Sequence, residues 1–133
     1  MAANSPFRTA DELVTEALAV LGVLEAGQAV DPEDFDWINS KLDSIFRKLA
    51  ALEIVSIPDP QNIPGAFFDD LVNIVAGSCA AKFGATPDDY VTLVNAGLGG
   101  AGNVPVGAGT AAMSLKIMTR GRPTYETLQT HYY

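Results

Sequence analysis

The chain has 133 residues, 48% of them hydrophobic and 18% charged, which is the composition of one ordinary globular domain. Eight Lys and Arg against sixteen Asp and Glu leave a formal charge of -8. That balance excludes a nonspecific grip on nucleic acid through phosphate neutralisation. A single cysteine and a single histidine exclude an intrachain disulfide framework and the usual Cys/His zinc sites. No run approaches the roughly 18 apolar residues of a membrane span, and Met1 to Ala10 lacks the order of a signal peptide. Folding in a reducing cytoplasm is expected, with no membrane partner.

Thr9 followed three residues later by Glu12 has the form of a capping box, in which each side chain satisfies a backbone amide at the other's position. It predicts a first helix from Ala10 to about Leu24, with Leu13, Val14, Ala17, Leu18 and Leu21 on one face and a stop at Gly22 or Gly27. Asp31 before Pro32 is a second start signal, reinforced by Glu33, Asp34 and Asp36 at the positive end of the helix dipole. Phe35, Ile38, Leu42, Ile45, Leu49 and Leu52 then alternate spacings of three and four, with Phe46 widening the seam and Asp43, Arg47 and Lys48 off it.

Pro58, Pro60 and Pro64 stop any helix from crossing the next stretch, which leaves at most a short edge strand at Ile54, Ser56 and Ile57. A third helix is expected from Ala66 to Phe83, buried through Phe67, Phe68, Leu71, Val72, Val75 and Cys79 and ended by Gly84. Its run of small residues from Ala76 to Ala81 predicts a close helix crossing. Thr86, Pro87 and Asp89 start a short fourth helix through Asn95.

From Gly97 to Gly109 the glycine content argues for a flexible loop. Ala111 to Thr119 can be helical again, with Leu115 and Met118 inward, and from Gly121 onward the chain reads as an extended tail. The fold class is therefore all-α: a bundle of about four to five helices, divided into a body (1–96), a glycine-rich flexible loop (97–110) and a short helix with an extended docking tail (111–133).

Candidate chemistry is sparse. Gly97 to Gly102 spells G-x-G-x-x-G, but a dinucleotide site needs a buried strand before it and here a capped helix precedes it. The acids from Asp31 to Asp36 lack the glycine of a calcium loop, and helix capping accounts for them. Adjacent acids at Asp69 and Asp70, or Asp88 and Asp89, point about 100° apart on a helix and make no shared acid and base site. Cys79, on an apolar stripe, reads as a small hydrophobe. His131, third from the end, is poorly placed for a triad. No catalytic, cofactor or metal site emerges, and no enzyme is expected.

The tail is the informative anomaly. Arg120, Arg122, Tyr125, Leu128, His131, Tyr132 and Tyr133 gather cations and aromatics of the kind that anchor protein interfaces into the last fourteen residues. Trp37, on the acidic first turn of helix two and off its seam, either caps the bundle end or anchors a partner. Charge divides accordingly: residues 1–81 hold four basic and thirteen acidic side chains, and residues 82–133 four basic and three acidic.

The order of these features resembles a known family. A capped helix ends in Ala-Val-Leu-Gly-Val-Leu (Ala19 to Leu24) and is followed by Ala26-Gly27-Gln28. An acidic long helix with Leu42, Asp43 and Ile45 comes next, then a helix with Phe68, Leu71 and Ala76 to Phe83, and an Arg-Pro-Thr-Tyr segment leads to the aromatic end. This is similar to the head-to-tail joining proteins of tailed bacteriophages, of the tail accessory or packaged-DNA stabilisation type found in podoviruses. The glycine-rich stretch departs from the family, where a longer continuous final helix is common. The resemblance implies an α-helical virion adaptor, made in the host cytoplasm, that assembles as a twelvefold homo-oligomeric ring beneath the portal protein. Such a ring extends the DNA channel, lets DNA pass without specific binding and meets the next tail or neck protein. Its C-terminal extension, here the segment with Arg120, Arg122, Tyr125, Leu128, Tyr132 and Tyr133, would dock on the portal. The other reading is a small helical interaction module or regulator that dimerises through helix two and uses Trp37 as its anchor.

Overall fold

The computed structural model describes residues 7–23 and 29–119. It is a mostly helical bundle: β1 (Phe7–Arg8), α1 (Ala10–Val20), α2 (Pro32–Ala51), β2 (Ile63–Pro64), α3 (Gly65–Cys79), α4 (Pro87–Ala96) and a fifth helix, α5, over residues 110–119.

The capping box at Thr9 forms as its sequence requires: the Thr9 hydroxyl accepts from the Glu12 amide at 3.3 Å and the Glu12 carboxylate accepts from the Thr9 amide at 3.1 Å. α1 ends earlier than the apolar periodicity suggests. Gly22 adopts φ +79°, its amide donates to Ala19, and the Val23 amide reaches back to Leu18, so the helix closes on a left-handed residue and cannot continue to Leu24. Residue 24 itself lies outside the described residues.

α2 starts on the Asp31 cap, whose carboxylate accepts from the Glu33 amide at 2.9 Å, with Pro32 in the first turn. Its buried line is Ile38, Leu42, Phe46 and Leu49, so the seam runs further toward Phe46 than alternating threes and fours imply. Phe35 and Ile45 are half-buried and Leu52 is exposed, because that last position is the C-cap, beyond the packed part of the helix. Each of the four large buried side chains contributes about 2 kcal/mol of apolar burial. The exit repeats the geometry of α1 with Glu53 at φ +58°, and the Ile54 amide is taken by Leu49. That bond removes Ile54 from strand pairing. The edge strand expected at Ile54–Ile57 is therefore absent: Ile54 and Val55 are buried without a strand, and the strand lies at Ile63–Pro64. It pairs antiparallel with β1, Phe7 opposite Pro64 and Arg8 opposite Ile63.

α3 is the central element, packed against α1, α2 and α4 and buried at eight positions from Phe68 to Cys79. It starts at Gly65 rather than Ala66. After Cys79 it tightens into successive three-residue turns, and Gly84 at φ +78° ends the run as its composition predicts. α4 starts on Thr86, whose hydroxyl accepts from the Asp89 amide at 3.2 Å. The crossing of α3 and α4 is as close as the small residues require. A methyl group on Gly77 would lie 2.7 Å from the Leu93 carbonyl oxygen, and one on Gly97 would lie 2.6 Å from that of Asn73. The two helices run antiparallel with one glycine each at the contact.

Candidate functional site

The stretch 97–109 is not the flexible loop that its glycine content suggests. The Leu98 carbonyl accepts from both Gly107 (2.8 Å) and Gly109 (3.1 Å), Gly99 donates to Val94 (2.8 Å), and Gly100 donates to Val104 (2.8 Å). The Asn95 side chain accepts from the Ala101 amide, and the Gly97 carbonyl takes the Ala112 amide at the start of α5. Glycine is required because Gly99 and Gly100 adopt φ +91° and +109° and because a side chain on Gly109 would strike the backbone of Gly97. Glycines chosen for close backbone packing produce a compact hinge between α4 and α5. The amides of Gly97, Gly99 and Gly100 are all used inside this turn, and α4 precedes it. The G-x-G-x-x-G string is thus a packing device, with no strand before it and these amides already bonded. Lys116 of α5 clasps the turn by donating to the Gly107 carbonyl at 2.7 Å, a contact across nine residues that neither periodicity nor motif signals.

Of the side chains singled out for partner binding, only Trp37 lies within the described residues. Arg120, Arg122, Tyr125, Leu128, Tyr132 and Tyr133, and His131 with them, lie outside. Trp37 is half-buried where the first turns of α2 meet the end of α3. Phe83 meets its ring edge-on at 6.0 Å and 89°, while the Lys41 and Lys82 ammoniums lie 5.2 and 5.7 Å from the ring centre. Each cation gains about 0.5–1 kcal/mol from the ring at such exposure. Neither lysine forms an ion pair among the described residues. These contacts within the chain are the ones a bundle cap makes; they do not bear on a partner.

Cys79 is buried, and desolvation pushes its thiol up to about 11 against the opposing pull of Lys41. It is a hydrophobic filler at neutral pH. Asp69, Asp88 and Asp89 are exposed and Asp70 is half-buried, each near a helix start. Glu12 is held below the ordinary glutamate range, first by the Thr9 backbone amide and then by Arg8, whose guanidinium bridges it at 2.8 Å while lying 4.0 Å from the Phe68 ring centre. Asp59 is lowered by Asn62 and the Gln61 amide and ties up the proline-rich connection. Glu12 and Asp59 are each tied to their own turn.

Clefts open on the described surface. One, of about 380 Å³, lies between the end of α1 and the start of α4, beside Val20, Phe83 and Asp89. A second, about 290 Å³, adjoins Ile54 and Thr119. A third, about 250 Å³, lies between α4 and the glycine turn, lined by Tyr90, Val94, Leu98 and Val106 with Lys48 at its edge. Among the described residues no group of three or more metal-ligating side chains converges, and no helix is long and apolar enough to cross a membrane. Comparison with protein-family models, with curated proteins and with solved structures found no match for the chain.

Proposed function

We propose that this chain is a structural connector of a tailed bacteriophage, joining head to tail without catalysis. In this reading twelve copies form a ring under the portal protein, continue the DNA channel and receive the next neck or tail component. The observation that supports it most directly is the outward chemistry of α2. The helix buries Ile38, Leu42, Phe46 and Leu49 and exposes Asp31, Glu33 and Asp36 at its start, while Lys41, Arg47 and Lys48 are exposed further along and Asp43 bridges Arg47 at 3.1 Å. An acid-rich helix start suits a passage for DNA, because like charge keeps phosphates from adhering. The resemblance in sequence order, the helical body and the cationic, aromatic terminal segment from Arg120 to Tyr133 support the same reading.

Light scattering of the purified chain, alone and mixed with the portal encoded beside it, tests the proposal. The full chain enters a large closed complex with the portal. A chain lacking Gly121 to Tyr133 keeps its helical spectrum and fails to join. Normal joining by the truncated chain overturns the docking role of the tail, and a fixed dimer indifferent to portal overturns the connector reading in favour of an interaction module.

A further inference from the structure

Residues 90–119 carry one charged side chain, Lys116, and no acid, whereas the other described residues carry fourteen acids and five bases. The same span exposes Tyr90, Val91, Val106, Met113 and Ile117, most of the large apolar side chains exposed in the described surface; Val106 is 52% exposed and Ile117 68%. The one cation is turned inward to the Gly107 carbonyl. α4 has no buried residue at all, although half of its ten positions are apolar. A helix this short draws its stability from tertiary packing, and among the described residues that packing is incomplete.

Two shapes share this acid-free surface. The cleft of about 250 Å³ between α4 and the glycine turn is concave and mixed in character, lined by Tyr90, Val94, Leu98 and Val106 together with Ser78 of α3 and Lys48 of α2. Met113 and Ile117, one helical turn apart, form a convex ridge on the face of α5 opposite the buried Ala111, Ala112 and Leu115. A concave cleft cannot match itself, but it can take a ridge, in the manner of a helix laid into a groove.

We infer that the occupant of the cleft is a second copy of this chain, which inserts its Met113–Ile117 ridge beside Tyr90 and Val106. Charge selects that occupant. Two copies that each carry -8 can approach closely only through a surface free of acid, and a basic partner would be drawn to the acidic faces of α1 and α2 instead. Contact between two different patches is head-to-tail, the kind that closes into rings when the rotation allows. As the ring contact, the inference rests on the connector reading; as self-association, it stands on the surface alone.

Sedimentation of the full chain from micromolar to millimolar concentration tests it. The wild-type chain associates with rising concentration. Ile117→Asp and Val106→Asp each weaken association by at least about tenfold, and Val20→Asp, at an exposed apolar position on α1, leaves it unchanged. All three positions are exposed, so the helical spectrum is retained. Geometry is read by disulfide capture: a Val106→Cys chain mixed with an Ile117→Cys chain gives the mixed dimer. Absence of association, which coverage by the chain's own residues 120–133 would produce, overturns the inference, as does equal weakening by Val20→Asp or a preponderance of same-residue disulfides. Association through this face by a chain that does not join a portal leaves the inference standing and removes the connector reading; joining that survives Ile117→Asp and Val106→Asp does the reverse.

Discussion

Replacing Gly77 with alanine sets two effects of opposite sign against each other. In a helix interior the exchange is worth about 1 kcal/mol of stabilisation from propensity alone. At this position the added methyl would meet the Leu93 carbonyl oxygen at 2.7 Å, the Val94 Cα at 3.1 Å and the Leu93 carbonyl carbon at 3.2 Å. These are backbone atoms of α4, so no rotamer change relieves them and the whole helix must withdraw. Overpacking of that kind costs about 1–3 kcal/mol, toward the upper end where backbone has to move. The net expectation is a loss of about 1–2 kcal/mol, which for a chain of this length lowers Tm by roughly 3–8 °C. Thermal unfolding followed by circular dichroism measures it. Gly97→Ala, which meets Asn73 and Ile74 in the same crossing, costs a similar amount. The double variant loses clearly less than the sum, because α4 displaced once is already clear of the second clash. A rise in Tm for Gly77→Ala, or strict additivity of the pair, refutes the close crossing.

Further outcomes follow from the helix ends and the core. Thr9→Ala removes one half of the capping box and costs about 1 kcal/mol by denaturant titration. Because Glu12 is lowered in the folded chain, its contribution is complete above about pH 4.3 and is lost as pH falls through the folded value; Glu12→Gln removes that part of the acid sensitivity. Gly22→Ala, at φ +79° with open space around it, lowers stability by about 1 kcal/mol. Cys79 stays unlabelled by a thiol reagent at pH 8 on the folded chain and reacts at the rate of opening, since burial holds the thiol near 11. Rapid native labelling contradicts its burial.

The helix starts were the most legible part of the fold, because Thr9 with Glu12, Asp31 with Pro32, and Thr86 with Pro87 act through bonds a few residues long. The run of small residues around Gly77 likewise announced a close crossing, although not which helix would supply it. The strand pair was not legible, since Phe7–Arg8 and Ile63–Pro64 lie more than fifty residues apart and are only two residues long. The glycine turn misled for a definite reason. Glycine content measures the entropy lost on ordering but says nothing of the backbone bonds, such as the two on the Leu98 carbonyl, that offset it. The surroundings of Trp37 needed the tertiary fold, because Phe83 and Lys82 come from another helix end. The acid-free span from residue 90 was visible in the sequence; its exposure was not.

The connection from Glu53 to Pro64 sits mid-chain, yet it is held from both extremes of the described chain. Phe7–Arg8 pairs with its far end, and Thr119 of α5 meets its near end, its hydroxyl shared between the Leu115 carbonyl at 2.9 Å and the Ile54 carbonyl at 3.1 Å, across 65 residues. During synthesis the first of these anchors emerges from the ribosome before the connection and the second long after it. Nascent chains therefore carry a half-fastened connection for the whole time that α3, α4 and the glycine turn are being made. A segment central in sequence is among the last to be fixed in time, and a chain stopped short of Thr119 keeps only local bonds, such as that of the Ile54 amide to Leu49, at the α2 exit.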